Sequence, residues 1–459
     1  MLLLTEIQKR QFSDKAGAEL ELLLFLKENE DSAIAKVELQ PKPESLNSLN
    51  GFVTYASGER YFFKTHTEEN EKVSEYYNAE ELARAGYPVI TSKQITQKVG
   101  KQIVLYQIIT YPTLFDLMKV EEDKALNDTR SETNASTGSK TNVATESKTN
   151  SAMGSKAIDA TTSETIAATA AVNFANKLLA GQIQLDKTVF DIYAKTLSHS
   201  SKEEQSKAPI HQLFSHRLAD DGRVGLFYKR KSIQLGSEVV PFETLAKMNW
   251  TINGVDYSES ISQLIDRSRN DLAPRQGPAI AGHGDAHNGN IFVDLEKSKF
   301  YMFDPAFAGR HHPLLDLTKP LFHNVFARWM YYPEQVIHEF DLKFDLHGDR
   351  IVIEHSFKPS VLRLGHLKTR VDNVLRPTVA LLNGTGDFDD SWRSFVRSAL
   401  FCCPFLTVNL FAEYVPNGTL SERYKLPIKL LGLAMAVELG AMAHKGSNQL
   451  TDIIDEVFA

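Results

Sequence analysis

The densest group of polar side chains runs from His283 to Asn290 and reads His-Gly-Asp-Ala-His-Asn-Gly-Asn. The stretch 291–303 follows it with two strand-like runs around a turn, and Asp304 comes directly after the second run. Such a hairpin would bring Asn290 close to Asp304, with Asp285 on the adjoining loop. Phosphoryl transfer requires a carboxylate that orients a hydroxyl, and amide and carboxylate oxygens that hold Mg²⁺.

The pattern His-Gly-Asp-x-His-x-x-Asn resembles the catalytic loop of the aminoglycoside phosphotransferase and choline kinase family. The later run Phe-Asp-Pro-Ala at 303–306, with Asp316 further along, is similar to the metal-binding segment of that family, in the form found in fructosamine-kinase-like members. The resemblance implies an α+β, bilobal, protein-kinase-like fold with a small antiparallel-sheet N-lobe and a larger, mainly helical C-lobe. It also implies an enzyme that uses ATP and Mg²⁺ to phosphorylate a hydroxyl group of a small molecule.

The resemblance further implies a role for each residue of these motifs. Asp285 would be the catalytic base, or would orient the acceptor hydroxyl. Asn290 and Asp304 would coordinate the Mg²⁺ that bridges the nucleotide phosphates. Three residues would organise the loop: His283, His287 and Asp316, the last through hydrogen bonds to backbone or to a nearby basic group.

A kinase also needs a lysine that holds the nucleotide phosphates. Lys64 lies in a strand-like run after the turn Ser57-Gly58, and Glu75 lies near the start of the helical pattern that follows. In this fold a glutamate holds the lysine that positions the α- and β-phosphates, although Glu80 and Glu81 of the same helix are alternatives. Further nucleotide contacts are inferred from position alone: Ser48 in a turn at 45–51 near the phosphates, and Gln107 and Ile108 near adenine.

The composition of the chain changes sharply along its length. Residues 1–110 alternate between helical and strand-like patterns and predict one small α+β unit, the N-lobe. Between 121 and 168 the residues are mostly small or polar, and the tetrapeptide Ser-Lys-Thr-Asn occurs twice. Such a segment buries too little apolar surface to offset the entropy of ordering it, so we expect a disordered insertion there.

The remaining boundaries follow from this division. We place the hinge exit and the insertion at 111–168 and the helical C-lobe at 169–459, where residues from 320 onward read as mostly helical. Within the C-lobe we expect three functional segments: the catalytic loop at 283–290, the metal segment at 303–316 and acceptor-binding helices after it.

Charge and cysteine content limit the partners. The chain has 51 Lys and Arg against 58 Asp and Glu, a net charge of −7, which argues against a nucleic-acid or anionic membrane partner. No apolar run reaches the length of a membrane span. The two cysteines, Cys402 and Cys403, are adjacent, which disfavours a disulfide and indicates reduced thiols in a cytoplasmic protein.

Two other function classes remain open. Four histidines between 283 and 312, with Asp285 and Asp304, could instead form a zinc or two-metal hydrolase site. The second class is a non-catalytic kinase-like protein that only binds a partner or a nucleotide, although such proteins usually lack the catalytic base or a metal ligand.

The identity of the acceptor also stays open. The acidic run 387–390 and aromatic residues such as Trp392 would suit a cationic compound.

Overall fold

The computed structural model describes residues 4–459 apart from 12, 30–31, 41–47, 67–74, 96–102, 138–153, 387–390 and 413–424. The chain forms two compact units: Met1–Tyr111 with Tyr301–Ala308, and Pro112–Phe300 with Gly309–Ala459. The segment 301–308, which contains Asp304, therefore belongs to the first unit, whereas we predicted it as part of the C-lobe. The predicted mixture of helices with antiparallel sheets is confirmed.

The first unit is built around an antiparallel sheet. Its described strands are β1 (Ile34–Leu39), β2 (Ser48–Tyr55), β3 (Arg60–His66), β4 (Gln94–Ile95) and β5 (Ile103–Gln107). They lie in the order β1-β2-β3-β5-β4. Its described helices are α1 (Leu4–Arg10), α2 (Lys15–Asn29) and α3 (Glu75–Ala85).

The two faces of this sheet differ, because side chains alternate along each strand. On β3, Phe63 is fully buried in an apolar cluster that includes residues of α1 and α2. The neighbouring Phe62 packs on the opposite face, in a second cluster with Tyr106 and Phe303. Alternation therefore places Lys64 on the same face as Phe62.

The second unit contains most of the helices. Those described are α4 (Leu114–Thr137), α5 (Gly154–Thr196), α6 (Lys202–Lys207), α7 (Pro209–Leu218), α8 (Arg223–Tyr228), α9 (Phe242–Leu245), α10 (Ile261–Asp271), α11 (Pro313–Val325), α12 (Arg328–Tyr331), α13 (Pro333–Val336), α14 (Val361–Arg370), α15 (Arg376–Thr385), α16 (Trp392–Thr407), α17 (Leu426–Gly440) and α18 (Gln449–Asp455). Short turns of 3₁₀ helix occur at Asn288–Asn290 and Glu456–Phe458, and a π-helical segment spans Val371–Leu375.

The described strands after residue 112 are β6 (Ser198–Ser200), β7 (Ser232–Leu235), β8 (Glu238–Pro241), β9 (Asn249–Ile252), β10 (Val255–Tyr257), β11 (Gly277–Gly282), β12 (Ile291–Asp294), β13 (Lys299–Met302), β14 (Gly309–His311), β15 (Leu342–His347), β16 (Arg350–His355) and β17 (Ala443–Lys445). A three-stranded sheet has the order β14-β11-β6, and a five-stranded sheet the order β15-β16-β9-β10-β17, in which β16 runs parallel to β9. The strands β12 and β13 match the two runs predicted at 291–303.

The region after 320 is mostly helical, as predicted, and it also contains the hairpin β15–β16, whose turn residue Gly348 has a φ of +60° and whose Ile351 and Ile353 are fully buried. One expectation about this part of the chain needs correction. The segment 121–168, expected to be disordered, is helical at both ends, in α4 and α5; residues 138–153 lie outside the described part. Alanine, lysine and glutamate favour helix, which explains the helical ends.

The core of the second unit is centred on α11, which is buried along its whole length. α16 packs against α11, α17 and α7, and α14 packs against α11 and α5. α11 therefore holds polar side chains such as Asp316 and Lys319 in the protein interior. Among the described residues, none of the helices combines the length and the apolar character that crossing a membrane would require.

Candidate active site

The predicted catalytic loop leaves the sheet at the end of β11. Gly284 has a φ of +74°, a left-handed conformation that favours glycine, and its N–H donates to Asp316 Oδ1. The same oxygen lies 2.8 Å from His311 Nε2 of β14. A Cβ atom on Gly282 would lie 2.7 Å from Asp316 Oδ1 and would overlap the His311 ring. The start of the loop thus requires two glycines and is fixed by the first turn of α11.

Asp316 is the anchor of this arrangement. Its second oxygen accepts a hydrogen bond from the hydroxyl of Tyr193, on α5. Burial raises the pKa of the Asp316 carboxyl, but the hydrogen bonds from His311, Tyr193 and Gly284 lower it by more, so the pKa lies below its ordinary value. The carboxylate is therefore ionised at neutral pH and holds the loop to α5, α11 and β14.

Asp285 lies where the loop enters its 3₁₀ turn. Its carbonyl oxygen accepts a hydrogen bond from the His287 N–H at 2.8 Å and another from Asn290 Nδ2 at 2.9 Å. The Asn290 N–H donates to the His287 carbonyl at 2.7 Å. Three of the predicted site residues are thus held together by the backbone of one turn, and the Oδ1 atom of Asn290 is the oxygen that could ligate a metal.

The far side of the turn is tied to the helical core. The Asn288 N–H donates to Asn324 Oδ1, at the end of α11, at 2.7 Å. The carbonyl of Asn324 accepts from Arg363 Nη1 at 2.8 Å, and Arg363 in turn pairs with the buried Glu122 of α4 at 2.6 Å. The turn is therefore braced by α4, α11 and α14, which limits the positions open to Asp285.

Lys319 is a site residue that the sequence analysis missed. Its ammonium forms an ion pair with Asp285 Oδ1, and the side chains are 8% and 13% exposed. Burial raises the pKa of the Asp285 carboxyl, but the charge and the hydrogen bond of Lys319, together with smaller contributions from His287 and His283, lower it by more, and the pKa lies below its ordinary value. Burial lowers the pKa of Lys319, against the pull of Asp285. A signal existed: Lys319 lies one helical turn after Asp316 in an otherwise largely apolar segment.

The histidines of this region make local contacts. His283 Nδ1 accepts from the Asp285 N–H at 3.3 Å, and His287 Nδ1 accepts from the Gly289 N–H at 3.1 Å. Burial lowers the pKa of His287 to about 4, so its ring is neutral at neutral pH. His312 caps α11 through the Leu314 N–H. In the part of the chain that the structure describes, no group of three or more His, Cys, Asp or Glu side chains is placed to hold a metal ion.

In the first unit the structure brings together Lys64 and Asp304. The Lys64 ammonium lies 2.6 Å from Asp304 Oδ1, and the two side chains are 11% and 28% exposed. Asp304 has a φ of +53°, an uncommon conformation outside glycine, and the ring of the preceding Phe303 packs edge-on against Tyr106 at 5.0 Å. The carboxylate is therefore held at the face of the sheet from which Lys64 projects.

The other predicted nucleotide contacts are less defined. Glu75 begins α3 and Ser48 begins β2, but their side chains lie outside the described residues. Residues 48–51 form strand rather than the expected turn, because they pair with β3, while 45–47 lie outside the description. Gln107 is the exposed last residue of β5, and the half-buried Ile108 follows it.

Comparison with solved structures gives distant matches. They include a spectinomycin phosphotransferase in complex with ADP and spectinomycin (TM-score 0.40, 12% identity, 92% of this chain and 97% of the other). Another match is a macrolide 2′-phosphotransferase from Brachybacterium faecium (TM-score 0.31, 12% identity, 84% of this chain and 98% of the other). A third is a choline kinase from Cryptosporidium parvum (TM-score 0.32, 9% identity, 96% of this chain and 97% of the other). These TM-scores lie below 0.5 and the identities are 12% or less, so the matches carry no conclusion about activity or substrate.

Comparison by sequence points to one family. No curated protein matches the chain. The model of the phosphotransferase enzyme family matches residues 218–347, a range that contains Asp285, Asn290, Asp304 and Lys319. The resemblance predicted from the motif is therefore confirmed: over residues 218–347 the chain matches the phosphotransferase enzyme family, whose members are small-molecule kinases that act on hydroxyl groups.

Proposed function

We propose that this protein is an ATP- and Mg²⁺-dependent phosphotransferase that moves the γ-phosphate to a hydroxyl group of a small molecule. The acceptor class comprises amino sugars, ketosamines, amino alcohols and sugars. The observation that carries the proposal is the buried Asp285 carboxylate, ionised beside Lys319, in a loop fixed by Asp316 and Asn290. A fixed carboxylate next to a phosphate-transfer motif can orient and deprotonate an alcohol.

In the proposed reaction the acceptor hydroxyl donates its hydrogen bond to Asp285. The hydroxyl oxygen forms a bond to the γ-phosphorus while the bond from that phosphorus to the bridging oxygen of ADP breaks. The hydroxyl proton passes to the Asp285 carboxylate and then to solvent. The products are the phosphate monoester and ADP, so that atoms and charges balance.

On the nucleotide side we propose roles for three residues. Asn290 and Asp304 supply the amide and carboxylate oxygens that Mg²⁺ prefers, and the bound ion would neutralise charge on the phosphates. Lys64 would contact the phosphates; its position beside Asp304 supports this role. The pairing of Lys64 with Glu75, the contacts of Ser48, Gln107 and Ile108, and a bilobal arrangement stay predictions.

The test is ATP consumption with Mg²⁺ over a panel of hydroxyl compounds, repeated with Asp285→Asn. Loss of the base should lower kcat by about 10²- to 10⁴-fold, whereas Mg·ATP should still bind in calorimetry. The matched control is Asp266→Asn, in which the replaced side chain is 74% exposed on α10. Its turnover should equal that of the wild type.

Two results would contradict the proposal. The kinase assignment fails if the purified protein neither binds Mg·ATP nor consumes it with any acceptor. The role of Asp285 fails if the Asp285→Asn protein keeps its turnover. Binding of Mg·ATP without turnover by the wild type would instead favour a non-catalytic nucleotide-binding protein, and tightly bound Zn²⁺ in metal analysis would favour a hydrolase.

A further inference from the structure

We propose that a cavity in the second unit binds a small amine with an apolar body, and that Glu438 binds the ammonium group of this ligand. The site is separate from the catalytic loop, since none of the described residues that line the cavity belongs to 283–290 or 303–316. The inference goes beyond the proposed function and does not rest on it, because it concerns a second ligand.

The cavity has the size and the wall of a small-molecule site. Its volume is about 340 Å³, and such sites typically measure about 300–1,000 Å³. Residues of β9, β10, β16, α14, α17 and α18 line it, and much of the wall is apolar, with Ile252, Leu364, Met435 and Leu439 among its side chains. Because hydroxyl groups buried against such a wall would lack partners, the body of the ligand should be apolar, unlike a sugar.

The position of the cavity along α11 separates it from the proposed base. Phe326, which directly follows α11, lines the cavity. Lys319, the partner of Asp285, lies seven residues earlier in the middle of the same helix. At a rise of 1.5 Å per residue, the two positions are about 10 Å apart along the helix axis.

Glu438 of α17 is the acidic residue of the cavity wall, and its side chain is 12% exposed. Its Oε2 atom lies 3.3 Å from His355 Nε2, and its Oε1 atom lies 3.4 Å from Asn448 Nδ2. Within the described part of the chain, no lysine or arginine forms an ion pair with this carboxylate. Both contacts are longer than the 2.7–2.9 Å typical of charge-assisted hydrogen bonds, and a carboxylate has about four acceptor positions. An ammonium group would supply the short, charged hydrogen bonds that Glu438 lacks.

His355 shows that the polar part of the wall is incomplete. Its side chain is 5% exposed, and its Nδ1 atom is buried without a hydrogen-bond partner among the described residues. Its Nε2 atom has only long contacts, at 3.3 Å to Glu438 and at 3.5 Å to Asn253 Nδ2. Buried polar groups in folded proteins are nearly always paired, so these two neighbouring side chains indicate a place for a polar ligand group.

The other side chains of the wall favour a cation. Three aromatic residues line the cavity, Tyr257, Phe326 and Phe357, and the faces of aromatic rings attract ammonium groups. The cavity also has a basic residue, Lys358, but this residue is exposed, so water and salt screen its charge. A buried carboxylate, aromatic rings and an apolar wall together fit an ammonium group attached to an apolar body.

Compounds with one ring system and different charges test this class of ligand. They are tryptamine (cationic), tryptophol (neutral), indole-3-propionate (anionic) and tryptophan (zwitterionic). In calorimetry at about pH 8, where a primary amine is still a cation, tryptamine should bind at least about tenfold more tightly than tryptophol. A factor of that size corresponds to one charged hydrogen bond.

Variants then locate the ammonium group and the apolar body. Glu438→Gln keeps the shape of the side chain and should weaken tryptamine binding at least about tenfold, while tryptophol binding should change little. The matched control Glu238→Gln removes an exposed carboxylate of β8 and should bind tryptamine as the wild type does. Leu364→Trp fills part of the cavity and should abolish binding of both compounds. Thermal unfolding midpoints show whether each variant folds.

Two further measurements show that the site is separate from the catalytic loop. The Asp285→Asn protein should bind tryptamine with the affinity of the wild type. Saturating Mg·ATP should not displace tryptamine from the wild-type protein. Loss of tryptamine binding in either experiment would place the amine at the catalytic loop and overturn the proposal.

Three other results would also overturn it. The first is a wild type that binds none of the four compounds at millimolar concentrations, or that binds one of the other three as tightly as tryptamine. The second is a folded Glu438→Gln protein that keeps the full preference for tryptamine. The third is a folded Leu364→Trp protein that binds tryptamine as the wild type does, which would place the amine outside the cavity. Failure to bind Mg·ATP refutes the proposed function instead and leaves this inference intact.

Discussion

Replacing Lys319 by methionine tests the central ion pair of the second unit. The substitution keeps most of the length and volume of the side chain but removes the ammonium that faces Asp285. Asp285 would then be a buried carboxylate without its partner. Because burial raises the pKa of Asp285 and Lys319 lowers it, its pKa should rise above the ordinary value of about 3.9 in the variant.

The size of the effect follows from burial. Removal of one partner from a buried pair costs about 3–5 kcal/mol, because the remaining charge stays desolvated. The Asp285 side chain is 13% exposed and keeps some contact with water, so we expect the low end, about 3 kcal/mol of unfolding free energy. The double variant Lys319→Met/Asp285→Asn removes both charges and should regain most of this loss.

The pH dependence has a defined sign. In the wild type the folded-state pKa of Asp285 is depressed, so its contribution to stability is present above the ordinary pKa and is lost as the pH falls through the folded value. In the Lys319→Met protein the folded-state pKa of Asp285 is raised, so above that pKa the loss of unfolding free energy has its full size. This loss should become smaller as the pH falls toward about 4, where the Asp285 carboxyl of the unfolded chain is also protonated.

Urea unfolding at neutral pH and at about pH 4 measures these free energies. The control Lys207→Met removes an ammonium that is 70% exposed and should leave the unfolding free energy essentially unchanged. A Lys319→Met protein as stable as the wild type at neutral pH would show that the ion pair does not stabilise the fold. A double variant no more stable than the single one would show that the loss does not come from the unpaired Asp285 carboxylate.

Two further substitutions test how the catalytic loop is held. Gly282→Ala places a methyl group against His311 and Asp316 and should cost about 1–3 kcal/mol, visible as a lower thermal midpoint. Gly384→Ala, which meets nothing within 4 Å, should cause no such loss. Asp316→Asn should lower the free energy of unfolding in urea by about 2–3 kcal/mol, because an amide cannot accept all three hydrogen bonds that the carboxylate accepts. The same substitution should speed hydrogen exchange at the Gly284 N–H. Unchanged exchange would contradict that role of Asp316.

The sequence predicted the elements whose signals are local. The hairpin β2–β3 was recognisable from Ser57-Gly58 between apolar runs, and Gly58 has the expected positive φ of +89°. The loop from His283 to Asn290 was recognisable as a catalytic loop because its residues follow one another in the chain in the order of the motif His-Gly-Asp-x-His-x-x-Asn. The strands β12 and β13 were marked by short apolar runs on both sides of a turn.

What the sequence did not predict depends on distant partners. The apolar surroundings of Lys319 in the sequence indicate that it is buried, but they do not identify Asp285, 34 positions earlier in the chain, as its partner. The parallel pairing of β16 with β9 joins residues about a hundred positions apart. The ends of the insertion were misjudged because low apolar content was taken as disorder, although alanine-rich segments favour helix.

The composition of the first unit has a consequence for synthesis on the ribosome. This unit needs residues 301–308, which bring Asp304 to Lys64 and Phe303 to Tyr106. It cannot be completed until residue 308 has been made, long after its other residues have been synthesised. A nascent chain halted near residue 111 should therefore expose the face of the sheet that carries Phe62, a surface open to chaperones or to aggregation. N-terminal fragments that end at the unit boundary should share that defect, whereas a fragment supplied with the segment 301–308 should not.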